Sequence, residues 1–172
     1  MQKDFSFVIK IDDLSQSKHH YHLSADEHQL KELAAILKVE DVKSFAADID
    51  LKLSRKIHRL DVEGKVTALL ELKSVISLEN FEKLYEVPFK YYYDTSMSYQ
   101  DLRDLDLSID DEAPEIIEDG QIDLGQIAIE QLALMMEDYP RLDGERFDFV
   151  SEFDEETTKR ANPFAVLGKL KT

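Results

Sequence analysis

Cysteine is absent from this chain of 172 residues. The lack of thiols excludes disulfide bonds, thiolate catalysis and a zinc site with cysteine ligands. No run approaches the roughly 18 uninterrupted apolar residues of a transmembrane helix, and no apolar core follows a basic start at the N-terminus. We therefore expect a cytoplasmic, soluble protein with no membrane partner.

Recognisable catalytic motifs are also missing. The chain has no phosphate-cradling glycine loop, no nucleophile elbow and no metal-binding helix with two histidines flanking a glutamate. Its many carboxylates lie mostly in weakly patterned segments, which cannot hold one of them at a tuned pKa. These absences predict a protein that is not an enzyme, and that uses no cofactor and no small-molecule substrate.

Positive charge is scarce, because 21 lysines and arginines stand against 37 aspartates and glutamates, for a net charge of −16. Such a charge disfavours tight, sequence-independent binding to nucleic acid, which depends on basic side chains displacing counterions from phosphates. A local basic patch could still contact RNA.

The acidic excess is concentrated between Asp101 and Asp123, where ten acidic residues face one base, Arg103. Unpaired carboxylates are too costly to bury, so this stretch must stay in water or meet something basic. We expect a flexible acidic connector at about 94–120. The candidates for contact with a basic partner are Asp101, Asp104, Asp106, Asp110, Asp111, Glu112 and Glu115.

Apolar residues alternate with polar ones in four segments, 5–11, 45–53, 60–73 and 85–93, and this period predicts strands with one buried face. Gly64 takes an inward position, which suggests a bulge or a sharp bend. Pro88 lacks a ladder donor and favours an edge strand. Short connections between the strands require antiparallel pairing, hence a meander.

Two helices are predicted beside this sheet. Ser24 and Glu27 form a capping-box pattern before an apolar stripe at 25–38, and Asp123 is an apt N-cap for an apolar helix that follows it. We predict an α+β fold, a curled, half-barrel-like antiparallel sheet with two packed helices. The chain is expected to form a single domain, residues 1–172, with a mobile segment at about 150–160.

One sizeable basic cluster lies between the second and third predicted strands, with no acid from Leu51 to Leu60. On a hairpin tip its side chains would converge, where they could receive RNA phosphates or the chain's own acidic connector. The alternative is an ordinary solvated turn. The RNA-binding candidates are Lys52, Arg55, Lys56, His58 and Arg59.

Three consecutive tyrosines could offer a ring for base stacking. Strand alternation sends Tyr91 and Tyr93 to the core side and leaves only Tyr92 outside. Core packing is therefore the favoured role of the other two.

Four histidines, His19, His20, His22 and His28, lie close together in the sequence. In an extended segment His20 and His22 share a face, where a metal could bridge them. The opposite face is the apolar one, however, and no acid sits at a typical ligand offset. We predict no metal site.

Several motifs in fixed order resemble one family, the YceD-like family, called the large ribosomal RNA subunit accumulation proteins. They are Val62–Leu70, Val75–Phe81, Gly120–Leu124, Tyr139–Arg141 and Asn162–Leu167. The positions that carry the resemblance include Gly64, Leu78, Glu79, Phe81, Ile122, Asp123, Leu124, Asn162, Pro163 and Phe164.

The resemblance implies a ribosome-biogenesis factor needed for normal accumulation of large-subunit ribosomal RNA, without a known catalytic activity. Many members carry a cysteine just before the segment that matches Val75–Phe81, whereas this chain has Leu72, Lys73 and Ser74 there. A metal-binding role of other family members is therefore not expected in this chain.

Two functional hypotheses follow. In the first, the protein binds a large-subunit RNA precursor, a basic ribosomal protein, or both, with the basic cluster on phosphate and the connector on protein. In the second, it is an acidic chaperone for a basic ribosomal protein and never contacts RNA.

Overall fold

The structure is a computed structural model that describes residues 5–98, 100–101, 115–117 and 119–146. Backbone packing divides the chain into two units, Met1–Leu142 and Asp143–Thr172. In the second unit only residues 143–146 are described. The predicted single domain stays a prediction, and the predicted mobile segment at 150–160 lies outside the described residues.

The described part of the first unit contains two α-helices beside a mainly antiparallel sheet, so the predicted α+β class is confirmed. The open five-stranded sheet has the order β2-β3-β4-β5-β6, and β1 pairs separately with β7. All pairs are antiparallel except β5 with β6. The elements are β1 Val8–Lys10, β2 Lys18–Ser24, α1 Glu27–Leu37, β3 Asp41–Ser54, β4 Arg59–Lys73, β5 Asn80–Asp94, β6 Glu115–Ile116, β7 Gln121–Asp123 and α2 Leu124–Met135.

The core lies on one face of the four long strands. Every second residue of β3 and β4 points to this face, as the alternating pattern predicts. Leu33 of α1 and Leu132 of α2 are fully buried against it. The buried strand residues include Phe45, Ala47, Ile49, Leu51, Leu53, Leu60, Val62, Val66, Ala68, Leu70 and Leu72.

Gly64 sits in continuous strand pairing, and the bulge predicted there is wrong. It lies opposite Ile49 on one side and Phe89 on the other, while the register shift of this pair of strands falls between Val42 and Ser44. A Cβ at Gly64 would lie 2.6 Å from the Asp48 carbonyl oxygen and 2.7 Å from the Phe89 ring. Glycine is therefore needed for close packing of the neighbouring strands.

The N-terminal segment is less regular than its alternation predicts. Only Val8–Lys10 form a strand, and Ile11 begins a 3-10 turn. Phe5 is buried and meets the Phe45 ring edge-on, with 5.0 Å between the ring centroids. Phe7, expected on the buried face, is 44% exposed. Residues 5–7 precede the strand, so strand alternation does not fix the direction of the Phe7 side chain.

Helix α1 begins two residues later than predicted, and its capping box uses different residues. Asp26 accepts hydrogen bonds from the backbone of His28 and Gln29, and the Gln29 side chain accepts one from the Asp26 backbone. The expected pair, Ser24 and Glu27, is displaced because β2 extends through Ser24. Helix existence was predictable, but its first residue depended on where the strand ends.

Strand β5 is an edge strand over most of its length, as Pro88 predicts. It pairs with β4 throughout, but β6 reaches only Tyr93 and Asp94. No other described strand lies beside Pro88. Glu115 and Ile116, at the end of the predicted connector, form β6.

Replacing Gly64 with alanine should destabilise the fold, because the new methyl group meets backbone as well as the Phe89 ring. We expect a loss of about 2 kcal/mol in the free energy of unfolding, which is typical of overpacking. Urea denaturation measures it. Thr67→Ala on the same strand is the control, and equal stability of both variants would contradict the packing role of Gly64.

Candidate nucleic-acid interface

The predicted basic cluster does lie at the tip of the β3–β4 hairpin. Residues Arg55–Ile57 form a 3-10 turn that is closed by His58 in the left-handed conformation, with φ of 49°. The Thr95 backbone donates a hydrogen bond of 2.8 Å to the His58 carbonyl. This contact fixes the tip against the end of β5.

Two members of the cluster already have partners within the chain. The Arg55 guanidinium donates to the carbonyl oxygens of Leu14, at 3.1 Å, and Asp12, at 3.4 Å. Arg55 therefore secures the loop before β2 and is not free for phosphate. Such contacts join residues more than 40 positions apart, so the sequence alone could not indicate them.

Arg59 is held in a defined orientation. Its Nε donates to the Asp61 carboxylate at 2.6 Å, and its guanidinium lies 4.1 Å from the centroid of the Tyr92 ring. A guanidinium above an aromatic face is a favourable cation–π contact. Arg59 is thus positioned on the outer face of the sheet, with 42% of its side chain exposed.

The other three cluster members, Lys52, Lys56 and His58, are exposed. Neither lysine forms an ion pair with any residue that the structure describes. These lysines remain available for a negatively charged partner.

Beside the tip, the outer face of the sheet forms a shallow groove of about 400 Å³. Four cations and three carboxylates line it, a local positive surplus in a chain with a net charge of −16. The lining residues are Lys18, Asp50, Leu51, Lys52, Arg59, Asp61, Glu63 and Lys90.

Two ion pairs cross this groove. Lys18 Nζ lies 2.9 Å from Asp50, and Lys90 Nζ lies 3.6 Å from Glu63. Hydrogen bonds from Lys18 and then His20 lower the pKa of Asp50. Both lysines are more than half exposed, and such surface pairs contribute little to stability. A ligand could therefore exchange with them at low cost.

The three tyrosines take the positions that alternation predicts. Tyr91 and Tyr93 pack partly buried against the core, and burial raises the pKa of Tyr91. Tyr92 alone lies on the outer face, beneath Arg59.

His20 and His22 of β2 point to the outer face, as expected. His20 Nδ1 lies 2.9 Å from Asp50, and His22 Nδ1 lies 2.7 Å from Asp48. Sequence reasoning missed these carboxylates because strand pairing brings them in from about 30 positions away. Among described residues, no group of three histidines or carboxylates is arranged to hold a metal ion.

Of the acidic candidates for a basic partner, only Asp101 and Glu115 are described. The Asp101 carboxylate accepts hydrogen bonds from the Ser98 hydroxyl, at 2.7 Å, and backbone, at 2.8 Å, and these bonds lower its pKa. Glu115 is exposed in β6, opposite Tyr93. Asp104, Asp106, Asp110, Asp111 and Glu112 lie outside the described residues.

Asp123 joins the N-terminal segment to α2. It caps the helix by accepting from the backbone of Gly125 and Gln126, as the sequence predicts. The same carboxylate also accepts from the Phe7 backbone, at 2.8 Å, and from the Ser6 hydroxyl. These additional donors come from the other end of the chain and were not predicted.

Gly125 explains how the N-terminal segment can come this close. A Cβ there would lie 2.2 Å from the Phe5 carbonyl oxygen. Strand β1 then pairs with β7, setting Ile9 opposite Ile122, and Ile11 donates to the Gly120 carbonyl. The motif Gly120–Leu124 is therefore a docking place for the N-terminal segment.

The loop between β4 and β5, which contains the start of the motif Val75–Phe81, is held in place by hydrogen bonds. Ser74 is fully buried, and its hydroxyl accepts hydrogen bonds from the backbone of Ile76 and Ser77. Val75 donates to the Pro140 carbonyl at 2.9 Å, which joins two of the sequence motifs.

Two further motif positions of this loop have contrasting roles. Leu78 adopts a left-handed conformation and is 66% exposed, while Phe81 packs on the core. Asn162, Pro163 and Phe164 lie outside the described residues.

A family model described as "Large ribosomal RNA subunit accumulation protein YceD" matches residues 62–171. The chain belongs to the YceD family. No curated protein and no solved structure gives a significant match. In this YceD protein neither described helix has the length and apolarity needed to cross a membrane.

The YceD match begins at Val62, after the hairpin tip. It therefore includes Glu63 and Lys90 of the groove and Tyr92 beneath Arg59, but not Lys52, Lys56 or any other residue of the basic cluster. The family match therefore does not by itself assign a role to the tip.

Asp123→Ala should destabilise this YceD protein more than loss of a helix cap alone. The substitution removes one acceptor that both the N-terminal segment and the start of α2 use. We expect about 2 kcal/mol less free energy of unfolding, compared with about 1 kcal/mol for a cap. Asp138→Ala just beyond α2 is the control. Equal melting temperatures for both variants would exclude the joining role of Asp123.

Lys18→Met should raise the pKa of Asp50, which loses its main hydrogen-bond donor. A lowered pKa in the folded state stabilises above the unfolded pKa, about 3.9, and this stabilisation disappears as pH falls through the folded value. The variant should therefore lose less stability on acidification. NMR titration of the Asp50 carboxyl carbon measures the change in pKa, and Lys56→Met is the control. An unchanged Asp50 titration would refute the pairing.

Proposed function

We propose that this YceD protein is a ribosome-biogenesis factor that supports accumulation of large-subunit ribosomal RNA by direct contact with precursor RNA, without catalysis. The family description supports the link to large-subunit RNA. The observation that carries the contact is the hairpin tip, where exposed Lys52 and Lys56 lack ion pairs with described residues.

The contact is expected to be small and selective. A chain with a net charge of −16 is repelled by most of a phosphate backbone, so only a few local cations can engage it. Charge arranged in this way controls orientation and partner choice more than raw affinity.

Binding without catalysis agrees with the chemistry of the groove. Hydrogen bonds lower the pKa of Asp50, so this carboxylate stays ionised at neutral pH and is a poor proton donor. Arg59 is always charged and serves as a contact group.

An acidic chaperone for a basic ribosomal protein is the second candidate. Its support is the concentration of carboxylates from Asp101 onward. In this reading the connector binds a lysine-rich partner and the hairpin tip stays in water. Both candidates give a soluble cytoplasmic factor associated with large-subunit assembly, and they differ in whether RNA is touched.

Crosslinking pull-downs at physiological salt distinguish the candidates. Lys52→Glu with Lys56→Glu should reduce recovery of large-subunit precursor RNA at least about fivefold, since two phosphate contacts become repulsions. Arg55 and Arg59 are left intact because both make contacts within the fold. Lys10→Glu with Lys31→Glu is the charge-matched control.

A connector variant completes the design, with Asp101, Asp104, Asp106, Asp110 and Asp111 changed to asparagine. If a basic ribosomal protein is still recovered after the lysine changes and after nuclease treatment, but is lost with this connector variant, the RNA proposal fails and the chaperone is favoured.

A further inference from the structure

The outer face of the sheet presents a flat cation on an aromatic ring. Asp61 holds Arg59 Nε at 2.6 Å, and Tyr92 supports the guanidinium from below at 4.1 Å. Both contacts restrain the orientation of the guanidinium plane, so little conformational freedom remains to be lost on binding. With 42% of the Arg59 side chain exposed, it is accessible to a ligand.

The surroundings combine groups that suit the different parts of a nucleotide. Lys52 lines the same groove and has no ion pair with a described residue. Asp50 and Glu63 supply acceptor oxygens whose present lysine partners are largely exposed. A matching ligand would have a flat ring for the Arg59 guanidinium, a negative charge for Lys52, and hydrogen-bond donors for these carboxylates.

Resting on the proposed function, we propose that the groove binds one unpaired nucleotide of RNA, its base stacked on Arg59 above Tyr92. Lys52 contacts the phosphate, and the groove carboxylates accept hydrogen bonds from the ribose 2′-hydroxyl or a base amino group. Arginine planes and aromatic rings are common stacking surfaces for splayed bases of RNA.

An unpaired nucleotide fits better than a duplex. Duplex RNA hides its base faces and presents two phosphate strands, which three carboxylates in the groove would repel. A single nucleotide needs one phosphate contact and one exposed base. The binding should accordingly have a shallow salt dependence, with a slope near that of one or two phosphates.

Fluorescence anisotropy with a labelled single-stranded RNA of about 12 nucleotides, and with the same strand in a duplex, tests this site. Tyr92→Leu should weaken single-strand binding about tenfold, whereas Tyr92→Phe, which keeps the ring, should bind as the unmodified protein does. Tyr139→Leu removes a tyrosine that is 77% exposed elsewhere and is the matched control.

Arg59→Lys separates stacking from charge. It keeps the positive charge but lacks the plane, so stacking predicts a loss comparable to that of Tyr92→Leu, while charge alone predicts none. Thermal unfolding of each variant by circular dichroism verifies that it is folded, and Arg59→Lys still tests the site if Tyr92→Leu does not fold.

Undiminished binding by Tyr92→Leu or Arg59→Lys, equal affinity for the duplex, or no RNA binding by the unmodified protein would each overturn the inference. The proposed function is judged separately, by recovery of precursor RNA with Lys52→Glu and Lys56→Glu. Loss of recovery in that variant with intact recovery in Tyr92→Leu would remove the stacking site and leave the proposed function standing.

Discussion

Continuous pairing of β3 with β4 is the constraint on which the rest of this molecule depends. From Ser44 to Ser54 the register has no interruption. Because side chains alternate along a strand, this one register sends the apolar residues of both strands to the helices and their charged residues to the outer face. The pairing of β4 with β5 extends this arrangement, because it sets Gly64 opposite Phe89 and brings Arg59 beside Tyr92 at the end of the sheet.

The outer face then becomes a surface of alternating charges and not a basic patch. Lys18, Arg59 and Lys90 each lie near a carboxylate of a neighbouring or the same strand. These pairs explain how an acidic protein keeps a local positive surplus without a strong attraction for every polyanion. Lys52 and Lys56, which form no ion pair with a described residue, are the point of contact with RNA that we propose.

Asp123 is a second constraint, because it joins the N-terminal segment to the start of α2. It was predictable as a helix cap from its place before an apolar run, but the hydrogen bonds from Ser6 and Phe7 require the N-terminal segment to return across Gly125. The family motif from Gly120 to Leu124 therefore has a structural explanation, the docking of β1, that does not involve a ligand.

Local patterns by themselves determined the three long strands β3, β4 and β5, the two helices, the hairpin position of the basic cluster and the outward placement of Tyr92, because each depends on the period of side chains along a short segment. Tertiary structure alone decided the start of α1 and the role of Gly64. It also decided the partners of Arg55, Arg59 and the β2 histidines. Those outcomes depend on which distant residues the strand register brings within a few ångströms, and no pattern within one segment contains that distance.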